Sequence, residues 1–154
     1  TRYWIGKKIG LGLEKGVDSA AGFFKQNNLK GPIFNNYDIG GYLIYYLFPQ
    51  EKVFVDNRPE AYPSGFFTDI YVPMQEQENK WEQEDKKYGF NAIFFYRRDL
   101  TPWAQTFLLS RIADKKWAPV FVDDFNIIFL KRNSQNNELI KKLELPKEMF
   151  SVRK

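Results

Sequence analysis

The sequence has no cysteine and no histidine. Together these absences remove disulfides, thiol nucleophiles, imidazole bases and the usual zinc ligands from these 154 residues. Neither a Ser-His-Asp nor a Cys-His mechanism can be assembled from the chain. The missing cysteine says nothing about compartment, because many domains outside the cytoplasm also lack disulfides. No apolar run approaches the ~20 residues that span a bilayer. No phosphate loop is present either. Gly10-x-Gly12 and Gly40-Gly41 lack both the Gly-x-Gly-x-x-Gly pattern after a strand and a Gly-Lys-Ser/Thr ending. Long blocks of one charge are absent, since 23 Lys and Arg are interleaved with 19 Asp and Glu for a net charge of +4. That leaves no basic stripe, and no nucleic-acid partner is expected. Any chemistry must use carboxylates, Lys, Arg, Tyr, Ser or Thr, or a carboxylate-bound divalent ion. No cofactor is expected.

What the chain does have is apolar and aromatic: 44% hydrophobic residues and 18% aromatic ones, among them 15 Phe and 9 Tyr. That is ample material for one packed core. Residues 1–16 are basic, Gly-rich and aromatic, and read as a membrane-proximal lead-in with Tyr3 and Trp4 beside Lys7 and Lys8. An edge strand or a loose linker fits that composition as well. Because the chain opens at Thr1 without a signal-peptide pattern, we read it as a piece excised from a longer precursor.

The expected domain covers 17–146, with a basic tail over 147–154. Asp18 is placed to cap a helix to Asn28, with Val17, Ala21 and Phe24 on one face. A buried strand follows at Pro32–Asn35. Asp38 then caps a helix with Ile39, Leu43, Tyr46 and Leu47 inward, which Pro49 stops. Val53-Phe54-Val55 reads as a second buried strand, and 57–65 as loop. Phe66–Met74 is ambiguous in secondary structure, with Pro73 limiting any helix, and the aromatic stretch Phe66–Tyr71 suits core packing better than an exposed flap. Residues 75–88 read as an acidic surface helix anchored by Trp81 and Tyr88 and ended by Gly89. Ala92–Tyr96 is the clearest central strand, and Thr101-Pro102 starts a helix to Ala113. Val120–Val122 and Ile127–Leu130 read as a hairpin around Asp123-Asp124, which suits a turn better than a metal site. Ser134 is expected to cap a last helix. The alternation predicts an α/β fold: a three-layer α/β/α sandwich with a mainly parallel sheet of about five strands and an antiparallel edge hairpin.

In such sheets the usable crevice lies beyond the carboxyl ends of the strands. Two polar clusters fall there, Asn35-Asn36-Tyr37-Asp38 and Asp56-Asn57-Arg58. The candidate ligand-binding rim is therefore Asn35, Asn36, Asp38, Asp56 and Arg58. The amides and Asp38 are suited to hydroxyls, and the Arg58 fork to a carboxylate or phosphate. The structural alternative uses the same residues. It has Asp38 as a helix cap, Arg58 paired to Asp38 or Asp56, and Gly40 and Gly41 admitting close helix packing. Asp56, Glu60 and Asp123 are the candidates for a metal-dependent enzyme. No catalytic or metal-ligating set emerges.

The stretch Phe34-Asn35-Asn36-Tyr37-Asp38-Ile39-Gly40-Gly41-Tyr42-Leu43, followed by Val55-Asp56-Asn57-Arg58, resembles a region of bacterial multi-pass membrane proteins. These are classed with glycosyltransferases of the dolichyl-phosphate-mannose-protein mannosyltransferase type, and the region is their soluble C-terminal domain. Tyr88–Ile93, Trp117 and the Asp123-Asp124 hairpin extend the resemblance over most of the chain. It implies a position on the extracytoplasmic, periplasmic face of a membrane. It also implies partnership with the transmembrane part of the same polypeptide, and a lipid-linked sugar or glycan as the parent protein's substrate. The catalytic carboxylate of such proteins belongs to an early loop between membrane helices, so none carries over here. The expected function is a non-catalytic accessory domain that packs on the membrane part or helps to position an acceptor. The alternative is a small-ligand or carbohydrate binding module.

Overall fold

The computed structural model describes residues 18–150. The expected lead-in segment, Val17 and residues 151–154 lie outside them. Helices α1 (Ser19–Gln26), α2 (Gly40–Leu47), α3 (Val72–Glu76), α4 (Glu78–Tyr88), α5 (Pro102–Ala113) and α6 (Asn137–Leu143) surround one sheet. Its strands are β1 (Ile33–Asn35), β2 (Ala92–Tyr96), β3 (Trp117–Val122) and β4 (Asn126–Lys131), in the spatial order β1-β2-β4-β3.

The mixed α/β class is as expected, but the sheet is not a mainly parallel one of about five strands. Only β1 and β2 pair in parallel, Phe34 opposite Ile93; β2–β4 and β4–β3 are antiparallel. It follows that β1, β2 and β3 point one way and β4 alone opposes them. The second hairpin strand lies between β2 and β3 rather than at the edge, so antiparallel pairings predominate.

The expected strand at Val53–Val55 is also missing, and one side chain accounts for this. Asn35 is wholly buried at the end of β1. Its Oδ1 accepts the N–H groups of Phe54 and Val55 at 2.8 and 3.4 Å, and its Nδ2 donates to the Val55 carbonyl at 2.7 Å. A side-chain amide thus takes the place of a backbone rung, and the segment lies beside β1 without entering the ladder.

Strand alternation builds two cores. Ala92, Phe94, Ile128 and Leu130 face α1, α2 and α6. Ile93, Phe95, Ile127 and Phe129 face Met74, Trp81 and Phe107 from α3, α4 and α5. Helices cover both faces, so the strands read as continuous apolar runs whatever their direction. Phe34 is ringed by Phe54, Trp81, Phe90, Phe95 and Phe107 at centroid distances of 5.0–5.9 Å, within the favourable aromatic range.

The expected acidic helix is two helices, because Gln77 is extended between α3 and α4. Its charges are not simply solvated. Glu78 pairs with the buried Arg111 of α5, Lys80 with the buried Glu84, and Lys131 of β4 with Asp85. Arg111 also lies over Trp81 at 4.9 Å, a cation–π contact within the core. Ahead of α3, residues Phe67–Tyr71 form a π turn. Pro73 lacks the N–H that an ordinary helical turn would use there. Gly89 ends α4 in the left-handed region at φ +64°, as expected. The cap expected at Ser134 is displaced: Asn136 precedes α6. The expected tail begins with a 3-10 turn at Lys147–Phe150, and Phe150 packs against the α3–α5 core. No helix among the described residues is long and apolar enough to cross a membrane.

Candidate functional site

The carboxyl ends of β1 and β2, the parallel pair, lie side by side, and Asn36 fastens them. Its Oδ1 accepts the Tyr96 N–H at 2.9 Å, and its Nδ2 donates to the Tyr96 carbonyl at 3.1 Å and to Asp99 Oδ2 at 3.0 Å. Asn35 and Asn36 are both fully buried, and these hydrogen bonds lie within the protein.

Asp56 and Arg58 form a second closed unit. Arg58 donates from Nε at 3.1 Å and Nη2 at 2.6 Å to the Asp56 carboxylate, which also accepts the Arg58 backbone N–H at 3.0 Å. The Tyr62 hydroxyl accepts the Asp56 N–H at 2.7 Å. The bonded Arg58 guanidinium holds the Asp56 carboxyl below the usual carboxylate range. Gly40 lets α2 press on this segment: a Cβ there would lie 2.5 Å from Asp56 Cα, whereas Gly41 faces open space.

Asp38 behaves differently from the rest of the rim. It lies within a 3-10 turn, Tyr37–Ile39, and makes no side-chain cap bond to α2. It lines a cavity of about 420 Å³ together with Tyr37, Phe67, Tyr71, Asp99 and Trp103. A second cavity, of about 180 Å³, shares Asp38 and adds Tyr42, Tyr96 and Phe125. Burial and the neighbouring Asp99 carboxylate push the Asp38 carboxyl above its ordinary range. Of the five expected rim residues, only Asp38 lines these cavities. Asn35 and Asn36 build the strand ends beneath them, and the Asp56–Arg58 pair lies in the segment that leads to Pro59 on the cavity wall.

Asp99, Tyr71, Phe67 and Trp103 were not among the expected site residues. Asp99 is 5% exposed and accepts from the Thr101 N–H at 3.1 Å and the Thr101 hydroxyl at 2.7 Å. Thr101 therefore starts α5 as expected but turns its hydroxyl to Asp99 rather than to the helix. The available signal was a carboxylate just past the central strand, where α/β sheets place their ligands. Tyr71 is buried, and burial raises its hydroxyl pKa; that hydroxyl accepts the Tyr37 N–H at 2.8 Å and so fixes the turn that carries Asp38. The Tyr37 and Tyr71 rings each meet Phe67 edge to face, at 5.8 and 5.7 Å. In the β3–β4 turn, Asp123 Oδ1 accepts the Phe125 and Asn126 N–H groups at 2.9 and 2.7 Å, a hydrogen-bonded turn of the expected kind.

Comparison with family models, curated proteins and solved structures finds no match to the chain.

Proposed function

We propose that this chain is a non-catalytic accessory domain of an extracytoplasmic, membrane-anchored glycosyltransferase. In this reading it is an α/β/α-layered module that holds a sugar-bearing acceptor over the carboxyl ends of β1 and β2. The observation that carries the binding part is the 420 Å³ cavity, where aromatic rings and two carboxylates converge. Aromatic faces pack on the C–H faces of a pyranose, and carboxylates accept its hydroxyl hydrogen bonds. The resemblance of the Phe34–Leu43 and Val55–Arg58 stretches supports the parent class, with the transmembrane part of the same polypeptide as partner. A freestanding carbohydrate-binding module would use the same cavity.

The test is calorimetric titration of the 154-residue chain with mono- and oligosaccharides. Saturable binding with a dissociation constant on the order of 1 mM is expected, weakened about tenfold by Trp103→Ala. Oligosaccharide binding that Trp103→Ala leaves untouched would place the ligand elsewhere. In the intact parent protein, the same substitution is expected to raise the acceptor KM and leave kcat unchanged.

A further inference from the structure

The cavity over the β1 and β2 ends contains two carboxylates, and no Lys or Arg is among its described lining residues. Asp99 is held in place by donors that are all neutral: the Asn36 amide and the N–H and hydroxyl of Thr101. Its position is fixed, and no cation among the described residues is bonded to it. Asp38 has no hydrogen bond or ion pair among the described residues, and its charge is opposed by that of Asp99. Cations of the adjoining described segments are engaged elsewhere. Arg58 is committed to Asp56, Arg97 donates to the Asp123 carbonyl, and Arg98 lies over the Phe125 ring at 5.2 Å. The walls include the rings of Tyr37, Phe67, Tyr71 and Trp103, and Phe67 meets Tyr37 and Tyr71 at 75°. Ring faces carry negative quadrupole charge and attract cations, Trp most strongly.

Two carboxylates beside aromatic rings, Asp38 exposed and Asp99 buried, with no cation bonded to either among the described residues, match one ligand charge. A phosphate or carboxylate would be repelled by both aspartates. A neutral sugar would leave the buried Asp99 carboxylate without a counter-charge. Calcium requires six to eight oxygens, and no group of three metal-ligating side chains exists among the described residues.

We propose that this cavity selects an ammonium-bearing ligand, a protonated amine or a quaternary ammonium, with the cation set against Asp38 and Asp99 and enclosed by the aromatic rings. The proposal rests on the reading of the cavity as the ligand site and adds the charge of what it takes. Asp38 also borders the smaller cavity, which leaves room for the rest of such a ligand beside Tyr42 and Tyr96.

The test is calorimetry on the 154-residue chain at neutral pH with choline, glucosamine, N-acetylglucosamine, glucose and calcium. Glucosamine and N-acetylglucosamine share a ring and differ in the charge on nitrogen. Choline and glucosamine are expected to bind saturably, with N-acetylglucosamine and glucose about tenfold weaker or worse. Asp38→Asn, at a side chain with no bond among the described residues, is expected to keep the fold and to remove that difference. Trp103→Leu is a second variant, expected to weaken choline without touching either carboxylate. Equal binding of glucosamine and N-acetylglucosamine would overturn the charge assignment and leave the glycan reading intact. Choline binding without any sugar would keep the cation and remove the glycan reading. Calcium binding that depends on Asp38 would overturn the ammonium in favour of a metal. No binding to any of the five would overturn both readings.

Discussion

At the scale of single residues, Asp56 and Arg58 show how a polar pair that looks like a site can be a fastening. The Asp56 side chain is 2% exposed and that of Arg58 63%. The sign of the linkage follows from the lowered Asp56 pKa. In the unfolded chain the carboxyl titrates at ~3.9. In the fold it titrates lower, so the pair contributes stability that is fully present above ~3.9 and lost as pH falls through the folded value. Arg58→Ala is therefore expected to move the acid-unfolding midpoint, followed by far-UV circular dichroism, to higher pH. The effect near neutrality is expected to be small, because solvent screens the exposed guanidinium. An unmoved acid midpoint would mean that the pair contributes nothing to the fold. The sequence left Asp38 and Asp56 open as partners of Arg58; the structure selects Asp56, two positions away. Asp99 was not legible as a partner of the Asn36 cluster. The two are 63 positions apart, and only the parallel β1–β2 pairing brings them together.

At the scale of elements, periodicity placed α1, α2, α5 and β2 correctly, because each combines an inward apolar stripe or run with a stop. It failed at Val53–Val55, where composition fits a strand but the backbone donors have another acceptor. Asn35 is the test of that explanation. Asn35→Ala leaves the Phe54 and Val55 N–H groups and the Val55 carbonyl without their side-chain partner. At about 1–3 kcal/mol for each buried unsatisfied group, with partial relief by water, a loss of about 3 kcal/mol is expected in urea unfolding. Amide exchange at Phe54 and Val55 should accelerate beyond that of β2. A loss below about 1 kcal/mol would mean that the segment is held mainly by the Phe54 and Val55 side chains. The cap readings failed for a related reason. Asp38 and Thr101 carry cap-forming side chains, but Asp38 lies on the cavity wall and Thr101 serves Asp99. Local chemistry could not weigh that competition.

At the scale of the whole molecule, two hydrophobic cores share one sheet, and β2 and β4 supply alternate residues to both. The same arrangement explains the misread strand directions. Burial on both faces produces apolar runs in parallel and antiparallel strands alike, so the runs could not reveal the pairings. It also predicts cooperativity. Trp81, Trp103 and Trp117 all belong to the core covered by α3, α4 and α5, whereas Phe94 points into the other core, toward α1 and α2. Neither face can loosen while the strands stay ordered, because each strand carries both. In a Trp4→Phe background, tryptophan fluorescence reports one face and far-UV circular dichroism the whole chain. Phe94→Ala removes a wholly buried ring and is expected to cost about 3–5 kcal/mol. The expected outcome is a single transition in which both signals fall together in the variant, by the same shift in midpoint, although no tryptophan touches the altered face. If circular dichroism shifted alone while the tryptophan midpoint held, the two layers would be separate cooperative units, and the cavity at the β1 and β2 ends would lie on their boundary rather than within one.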